Sequence, residues 1–346
     1  GKGAKDLAKI KKKFVAGCEE KGLTFFQAED IWQQMEFFSG YGFNASHAIS
    51  YATLSYQCAW LLTHYPAEWT AAFLDKEPEQ RKEAAISVAK SIGFNIESLN
   101  INTSGRVWEI SEDGKTLIQP LTSIKGLGDA AIDQIMANRP FKEIEDFLFN
   151  ENITYSKLNK KALDVLVRSE TLDPLMDERF KGRRHFWFTC AVERPRKLKN
   201  LEENIEPHAK FLETDEGGGV EFNIEDRINN LVNLTGMYPM HLVMDDKTVV
   251  RLREKYIPPI SEYDPELSQV VWFIPRKIIP RKTKNNKDYW IVEVIDENSV
   301  LTTIKCWGIR DTDSLCRDKP YMATLEHDEQ WGFSTRSIRH NFRLLA

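Results

Sequence analysis

The segment Leu121-Thr-Ser-Ile-Lys-Gly-Leu-Gly-Asp-Ala-Ala-Ile-Asp-Gln-Ile135 constrains the fold most. A short apolar element ends at Ile124-Lys125, and a helical pattern opens at Asp129. Between them two glycines bracket one leucine. Glycine admits backbone conformations closed to residues with a Cβ. The spacing therefore predicts a tight hairpin, anchored in the core by Leu127. The first N–H groups of a helix have no intrahelical acceptor, and the helix dipole adds partial positive charge there. A hairpin leading into such a helix offers a phosphate oxygen both donors and field.

Two readings of this segment stand side by side. One is a helix-hairpin-helix, which grips the DNA backbone without reading its sequence. The other is an ordinary αα-corner with a glycine turn. The order apolar-Lys-Gly-Leu-Gly favours the first, with Lys125, Gly126 and Gly128 as candidate backbone contacts. A second helical pair, from Ser156 through Leu175, carries Lys157, Lys160, Lys161 and Arg168. It is expected to be a degenerate partner of the first pair.

Charge supports a polyanion only in its distribution. The net charge is −5, yet basic residues cluster in three places. Residues 2–13 hold Lys2, Lys5, Lys9, Lys11, Lys12 and Lys13. Residues 179–199 hold Arg179, Lys181, Arg183, Arg184, Arg194, Arg196, Lys197 and Lys199. Residues 276–287 hold Arg276, Lys277, Arg281, Lys282, Lys284 and Lys287 with no acid. One such run reads as a solvated face; three outline a track for nucleic acid. Other classes recede. No run of eighteen apolar residues exists, so a membrane partner is not expected. The five cysteines lie far apart without a Cys-x-x-Cys pair, and the histidines are scattered. Reduced thiols, a cytoplasmic setting (bacterial or phage-infected cell) and no metal site follow as expectations.

Texture divides the chain into four parts, giving a multidomain α+β fold. Residues 1–120 are mostly helical and close with a small β-hairpin. Leu7, Ile10, Phe14 and Cys18 mark a first helix. Thr24 precedes a second, with Phe26, Ile31, Met35 and Phe38 on its inner face and Gly40 as C-cap. Ser46 is expected to cap a third helix ending before Pro66, with Leu54, Leu61 and Leu62 as ordinary core. Glu68–Leu74 and Arg81–Ile92 follow as helices. Asp113-Gly114 turns a hairpin between Val107–Ile110 and Leu117-Ile118. Residues 121–190 form the hairpin domain. Residues 191–265 read as linker and helix, with a loop at Gly217-Gly218-Gly219 and a helix over Glu225–Leu234. Residues 266–346 are β-rich. Strands are expected over Val270–Ile279, Tyr289–Ile295, Val300–Trp307, Tyr321–Glu326 and Trp331–Leu344, with a helical link at 309–317. Five strands with that link match an OB-fold barrel. Its basic first loop, with Lys282, Lys284 and Lys287, and exposed aromatics such as Trp290 and Trp307 would engage a single strand. Core packing is the alternative for each tryptophan.

The stretch Gly40 to Trp69 packs tyrosines, tryptophans and histidines behind a Gly-Tyr-Gly-Phe-Asn-Ala-Ser-His opening. With Phe37-Phe-Ser before it and His64-Tyr-Pro-Ala-Glu after it, this run resembles the fingers region of the bacterial replicative polymerases of family C, the DNA polymerase III α subunits. The Ile-Lys-Gly-Leu-Gly hairpin, Pro140-Phe-Lys-Glu-Ile-Glu-Asp-Phe, Lys157-Leu-Asn-Lys-Lys-Ala-Leu and Gly236-Met-Tyr-Pro-Met-His-Leu are similar to later landmarks of that family, in the same order. The likeness is close over 2–178 and looser over 236–346.

The resemblance implies roles. Asn44, Ser46 and His47 match the family's Gly-Phe-Asn-Lys-Ser-His run and would contact the incoming dNTP and template. Ala45 replaces the family's lysine. The hairpin region would hold primer-template duplex, and the OB domain single-stranded template. Palm carboxylates that hold Mg2+ lie N-terminal to the fingers in that family, so no catalytic residue is expected in this chain, and a palm-bearing polymerase portion is the implied partner. The family's sliding-clamp peptide has no match in 179–235, which puts clamp binding in doubt. The rival expectation is a non-enzymatic DNA-binding or scaffold protein of replication or repair. A third is a nuclease built on Asp245-Asp246.

Overall fold

The computed structural model describes residues 4–41, 45–154, 156–177, 198–214, 221–310 and 313–345, with 182, 216 and 219. The chain divides into two compact units, 1–65 and 66–346.

Among its described residues the first unit holds three helices: α1 (Ala4–Glu20), α2 (Phe25–Tyr41) and α3 (Ala45–His64). Thr24 and Gln27 cap α2 reciprocally. The Gln27 side chain accepts the Thr24 N–H at 2.9 Å, and Thr24 Oγ1 accepts the Gln27 N–H at 3.3 Å, satisfying donors the helix leaves open. Helices α1 and α2 pack through Phe14 and Trp32, ring centroids 5.5 Å apart, and through a Lys11–Glu29 ion pair.

Four expectations fail in this unit. The buried residues of α2 are Ala28 and Trp32, while Phe26, Ile31 and Met35 are exposed. The Phe38 side chain lies outside the description. The apolar residues of α2 run around the whole helix, so periodicity alone cannot pick the packed stripe. Gly40 lies inside α2, and Ser46 lies in the first turn of α3 rather than at its cap. Helix α3 buries none of its side chains: Leu54 and Leu61 are exposed and Leu62 half-buried. Ordinary core they are not, because nothing in the described unit covers that helix.

The second unit opens with α4 (Pro66–Lys76) and α5 (Lys82–Ser91), whose Ala71, Leu74, Ile86 and Ala89 share a small core with Phe94, Trp108 and Leu117. A three-stranded sheet follows: β1 (Asn95–Glu97), β2 (Glu109–Ile110) and β3 (Thr116–Ile118), in the order β1-β3-β2. The expected hairpin is β2–β3. Asp113 makes its turn by accepting the N–H groups of Lys115 and Thr116, each at 2.8 Å. The parallel strand β1 was not legible in the sequence.

Next come α6 (Asp129–Asn138), α7 (Ile144–Leu148) and α8 (Lys160–Arg168). Ile124, Leu127, Ile132, Ile135, Phe147 and Leu166 are among their shared buried residues. Each such side chain removed from water contributes about 1.5–3 kcal/mol, and the hairpin is pinned from both sides.

Helix α9 (Leu198–Leu212) falls in the stretch 191–265 read as linker and helix. Helix α10 (Ile224–Thr235) is capped by the Asn223 side chain and ends at Gly236 in the left-handed region, φ +76. A Cβ at Gly236 would lie 2.9 Å from Lys82 Cβ, so glycine is required by conformation and by space. Helix α11 (Asp246–Glu254) follows. Gly217 and Gly218 lie outside the described residues, as do Arg179, Lys181, Arg183, Arg184, Arg194, Arg196 and Lys197.

The last part is a curled mixed sheet of β4 (Val270–Lys282), β5 (Asp288–Ile295), β6 (Thr302–Trp307), β7 (Tyr321–Thr324), β8 (Glu326–Asp328), β9 (Gly332–Thr335) and β10 (Phe342–Leu344), with a short helix α12 (Ile338–Asn341). The order is β10-β7-β4-β5-β6-β9-β8. Only Leu325 separates β7, which pairs with β4, from β8, which pairs with β9. One continuous stretch of chain therefore serves both ends of the curl. Residues 271–275 of β4 are buried on both faces. Val271 and Phe273 enter the sheet's interior, while Trp272 and Ile274 pack with Ile228, Tyr238 and Leu252 of the helical layer. That explains its unbroken apolar run. Two expectations are corrected. The helical link at 309–317 is loop in its described residues, and Trp331–Leu344 is β9, α12 and β10 rather than one strand. Among the described residues no helix is long and apolar enough to cross a membrane.

Candidate nucleic-acid interface

The hairpin is built from a 3-10 turn at Leu121–Ser123, an extended Ile124 and the start of α6. Gly126 sits at φ +87, a conformation costly for any residue with a Cβ. Gly128 precedes α6 in ordinary extended backbone, φ −81 and ψ 155, with open space around it. The Lys125 N–H is bound to Leu234 O at 2.9 Å and the Leu127 N–H to Ile124 O at 3.2 Å. Among the described residues, the N–H groups of Gly126, Gly128, Asp129 and Ala130 have no backbone acceptor. These are the donors an anion would take.

Lys161 stands beside them: its Cε lies 3.5 Å, and its Nζ 4.0 Å, from where a Cβ of Gly126 would be. Lys160 and Lys161 are exposed in the first turn of α8, whose cap is the Asn159 side chain accepting the Ala162 N–H at 3.1 Å. Cations at a helix N-terminus oppose the dipole, and a bound polyanion would relieve that cost. The structure thus brings Lys161 beside Gly126, while Lys160 is exposed in the same first turn of α8. Lys125 is turned to a protein partner: its Nζ lies 2.9 Å from Glu79 Oε1, a contact that lowers the Glu79 pKa. Arg168 pairs with Asp164 at 2.7 Å and lies over the Phe222 ring.

Arg106, which no sequence motif marks, bridges Asp129 and Asp133 on α6. It offsets two acids in the opening turns of α6. Lys82 donates to Ser123 O at 2.6 Å, and burial lowers its pKa.

On the curled sheet, the tip between β4 and β5 is closed by the Thr283 N–H bound to Lys287 O at 2.9 Å, with Asn286 at φ +57. Lys282, Lys284 and Lys287 are exposed, and Lys282 faces Asp288 across the pair at 3.4 Å. The expected exposure of Trp290 is corrected. It stands opposite Cys306, which is fully buried, and packs half-buried against the sheet's interior. Strand parity puts its neighbour outside. Tyr289 stacks on Trp307, centroids 4.6 Å apart and planes 23° apart. Arg281 is directly opposite Tyr289 on that face. Two residues from Trp307, Lys305 lies 5.1 Å over the ring of Trp331, which is 64% exposed. The sequence named Trp307; Tyr289, Lys305 and Trp331 needed the register.

In the first unit, Ser46 and His47 are exposed in the opening turn of α3, and the His47 ring lies 4.4 Å from Tyr51. Asn44 lies outside the described residues. Asp245 caps α11, accepting the Thr248 N–H at 2.7 Å, and hydrogen bonds from the Thr248 side chain and backbone lower its pKa. Asp245-Asp246 is thereby a helix start. Among the described residues no three His, Cys, Asp or Glu side chains are grouped to hold a metal ion.

Comparison with known proteins agrees with the hairpin. A family model described as a helix-hairpin-helix motif matches residues 93–182. DNA polymerase III subunit alpha of Xylella fastidiosa is 34% identical over 176 residues, 49% of this chain and 14% of that protein. The Pseudomonas aeruginosa subunit is 29% identical over 222 residues, 62% of this chain and 19% of that protein. The Thermus aquaticus subunit is 33% identical over 182 residues, 51% and 15% respectively. The matched part of this chain therefore spans less than a fifth of each of these relatives. The chain is related to a portion of bacterial DNA polymerase III α subunits and carries a helix-hairpin-helix.

Proposed function

We propose that this chain is the DNA-holding portion of a replicative DNA-directed DNA polymerase. The observation that carries this reading is the hairpin: unpaired N–H groups at Gly126, Gly128 and the start of α6, with Lys161 beside them, inside residues 93–182 that match a helix-hairpin-helix motif. Duplex backbone is the ligand this chemistry suits, because it needs no base edge.

The first unit serves as fingers, with Ser46 and His47 at a helix N-terminus turned to the incoming dNTP and template; Asn44 belongs to the same set. Counting β7 and β8 as one strand, the curled sheet has the five strands of an OB-fold, β4, β5, β6, β7–β8 and β9, with β10 added. Its outer face then takes single-stranded template on Tyr289, Trp307 and Trp331, with Lys282, Lys284, Lys287 and Lys305 for phosphates. Mg2+ belongs to the complete polymerase. In this reading the carboxylates that hold it lie in a palm-bearing portion, which synthesis needs.

The test is Gly128→Val. Its backbone angles and open surroundings accept a side chain, so the fold is kept while the close approach of a phosphate is blocked. Duplex affinity should fall at least tenfold with unchanged thermal stability. Unchanged affinity would return the hairpin to a plain αα-corner. In primer extension the chain should incorporate nucleotides only when a palm-bearing polypeptide is added; extension by the chain alone with Mg2+ would defeat the division of labour.

A further inference from the structure

A groove of about 900 Å3 in the second unit is walled by the chain after β1, by α10, by the opening of α11 and by the loop between β5 and β6. Leu99, Leu231, Met237, Met240 and Met244 give it apolar walls. Its charged residues are mostly acids: Glu97, Glu170, Asp173, Asp246 and Glu297, against Lys90 and beside His241. Two of the acids are taken, Glu170 by Arg227 at 2.8 Å and Glu297 by Arg253. Lys90 donates to the Ser299 hydroxyl at 2.8 Å. Glu97 and Asp246 are exposed and have no ion-pair partner among the described residues. A groove of this kind attracts a cation.

Gln119 is a second and independent sign of a ligand. It is fully buried and lines the same groove. Its Nε2 donates to Thr235 O at 2.8 Å, which leaves Oε1 as the free end of the amide. Among the described residues Oε1 accepts no hydrogen bond. A buried acceptor without a donor forgoes the bond it makes in water, and an N–H entering the groove restores it. Gln119 follows β3, whose Ile118 is paired with Glu97, so the amide and that carboxylate stand at one end of the small sheet. Asp246 stands at the opening of α11.

We propose that this groove binds a linear aliphatic diamine. Each ammonium carries three N–H donors. One ammonium is met by Gln119 Oε1 and Glu97, the other by Asp246. The methylenes between them lie on Leu99, Met237 and Met244, as lysine stems lie on apolar surface. A bare metal ion is a poorer match, because among the described residues no three His, Cys, Asp or Glu side chains are grouped around one point. Lys90, held at the β5–β6 loop by Ser299, opposes a third positive charge, so two ammonium groups suit the groove better than three. The bound diamine ties the end of the small sheet to α11.

The whole chain, labelled with 13C at the methionine methyls, should be titrated with putrescine at constant ionic strength. The signals of Met237, Met240 and Met244 should move together and saturate, while those of Met35 and Met136 stay in place. Butylamine, with one charge, should bind at least tenfold more weakly, and Mg2+ should give no saturable shift at the same concentrations. Glu97→Gln and Asp246→Asn change exposed side chains and keep the fold; each should weaken putrescine several-fold. Gln119→Met removes the acceptor at similar volume and should do the same, with an unmoved Met136 signal reporting an intact core. The absence of a saturable shift would overturn the proposal, as would equal binding of putrescine and Mg2+ or native affinity in the Glu97 and Asp246 variants. Tighter binding of the peptide Lys-Ala-Lys than of putrescine would overturn it in favour of lysine side chains from a protein partner.

Discussion

Asp296 shows how one residue can carry a measurable mark of burial. It is fully buried, its carboxylate is hydrogen-bonded to backbone N–H groups, and desolvation still raises its pKa. The hydrogen bonds favour the charged form and burial the neutral one; burial prevails. A carboxyl whose folded pKa exceeds its unfolded value contributes stability below about pH 3.9, the ordinary value, and loses it as pH rises through the folded value. Asp296→Asn cannot ionise. The variant should therefore gain on the native chain as pH is raised from 4 to 7, whatever constant offset the lost acceptor causes. Each tenfold difference in proton affinity between the two states corresponds to about 1.4 kcal/mol. Urea unfolding midpoints of both proteins across that range give the answer, and a difference independent of pH would refute the argument. No sequence pattern marks Asp296, since the turn Asp-Glu-Asn looks solvent-facing until α5 and the segment 260–262 are placed over it.

At the scale of elements, legibility follows the range of the signal. The Gly-Leu-Gly hairpin, the Asp-Gly turn and the helix start after Thr24 are local, and the structure bears them out. The faces of strands are not local: Trp290 and Tyr289 differ by one residue, and only the pairing with Cys306 and Trp307 decides which is outside. Helices α2 and α3 were read as helices correctly, but their packed sides were not, because apolar residues surround both. The register yields a prediction about the sheet. Lys282→Ala, Lys284→Ala and Lys287→Ala together should weaken single-strand binding and reduce the slope of log affinity against log salt by up to about 2, near 0.7 per lost phosphate contact. Trp307→Ala should cost about 1–3 kcal/mol with the slope unchanged, as expected of lost stacking. Titrations at several salt concentrations separate the two effects. A Trp290→Ala variant that lost affinity while Trp307→Ala did not would place the strand on the wrong face.

The two units of the molecule differ in how they are held together. In 66–346 the hairpin domain, the small sheet and the curled sheet each have a buried cluster, and cross-links such as Arg276 with Glu83 of α5 at 3.5 Å and Lys82 of α5 with Ser123 O at 2.6 Å join them. In 1–65 the described buried apolar side chains are Val15, Ala28 and Trp32, and α3 has none. Burial on that scale does not offset the conformational entropy of some sixty residues, about 1–2 kcal/mol each. Residues 66–346 expressed alone should therefore unfold in one cooperative transition and keep duplex binding, since every residue of the hairpin site lies within them. Residues 1–65 alone should show helix content without cooperative unfolding, and should bind hydrophobic dyes through Phe26, Ile49, Leu54, Tyr56 and Trp60, all exposed. Calorimetry and circular dichroism of the two pieces decide the matter. A sharp heat-absorption peak from 1–65 would mean that its helices hold one another by contacts other than those described, and loss of duplex binding by 66–346 would mean that the hairpin depends on the first unit.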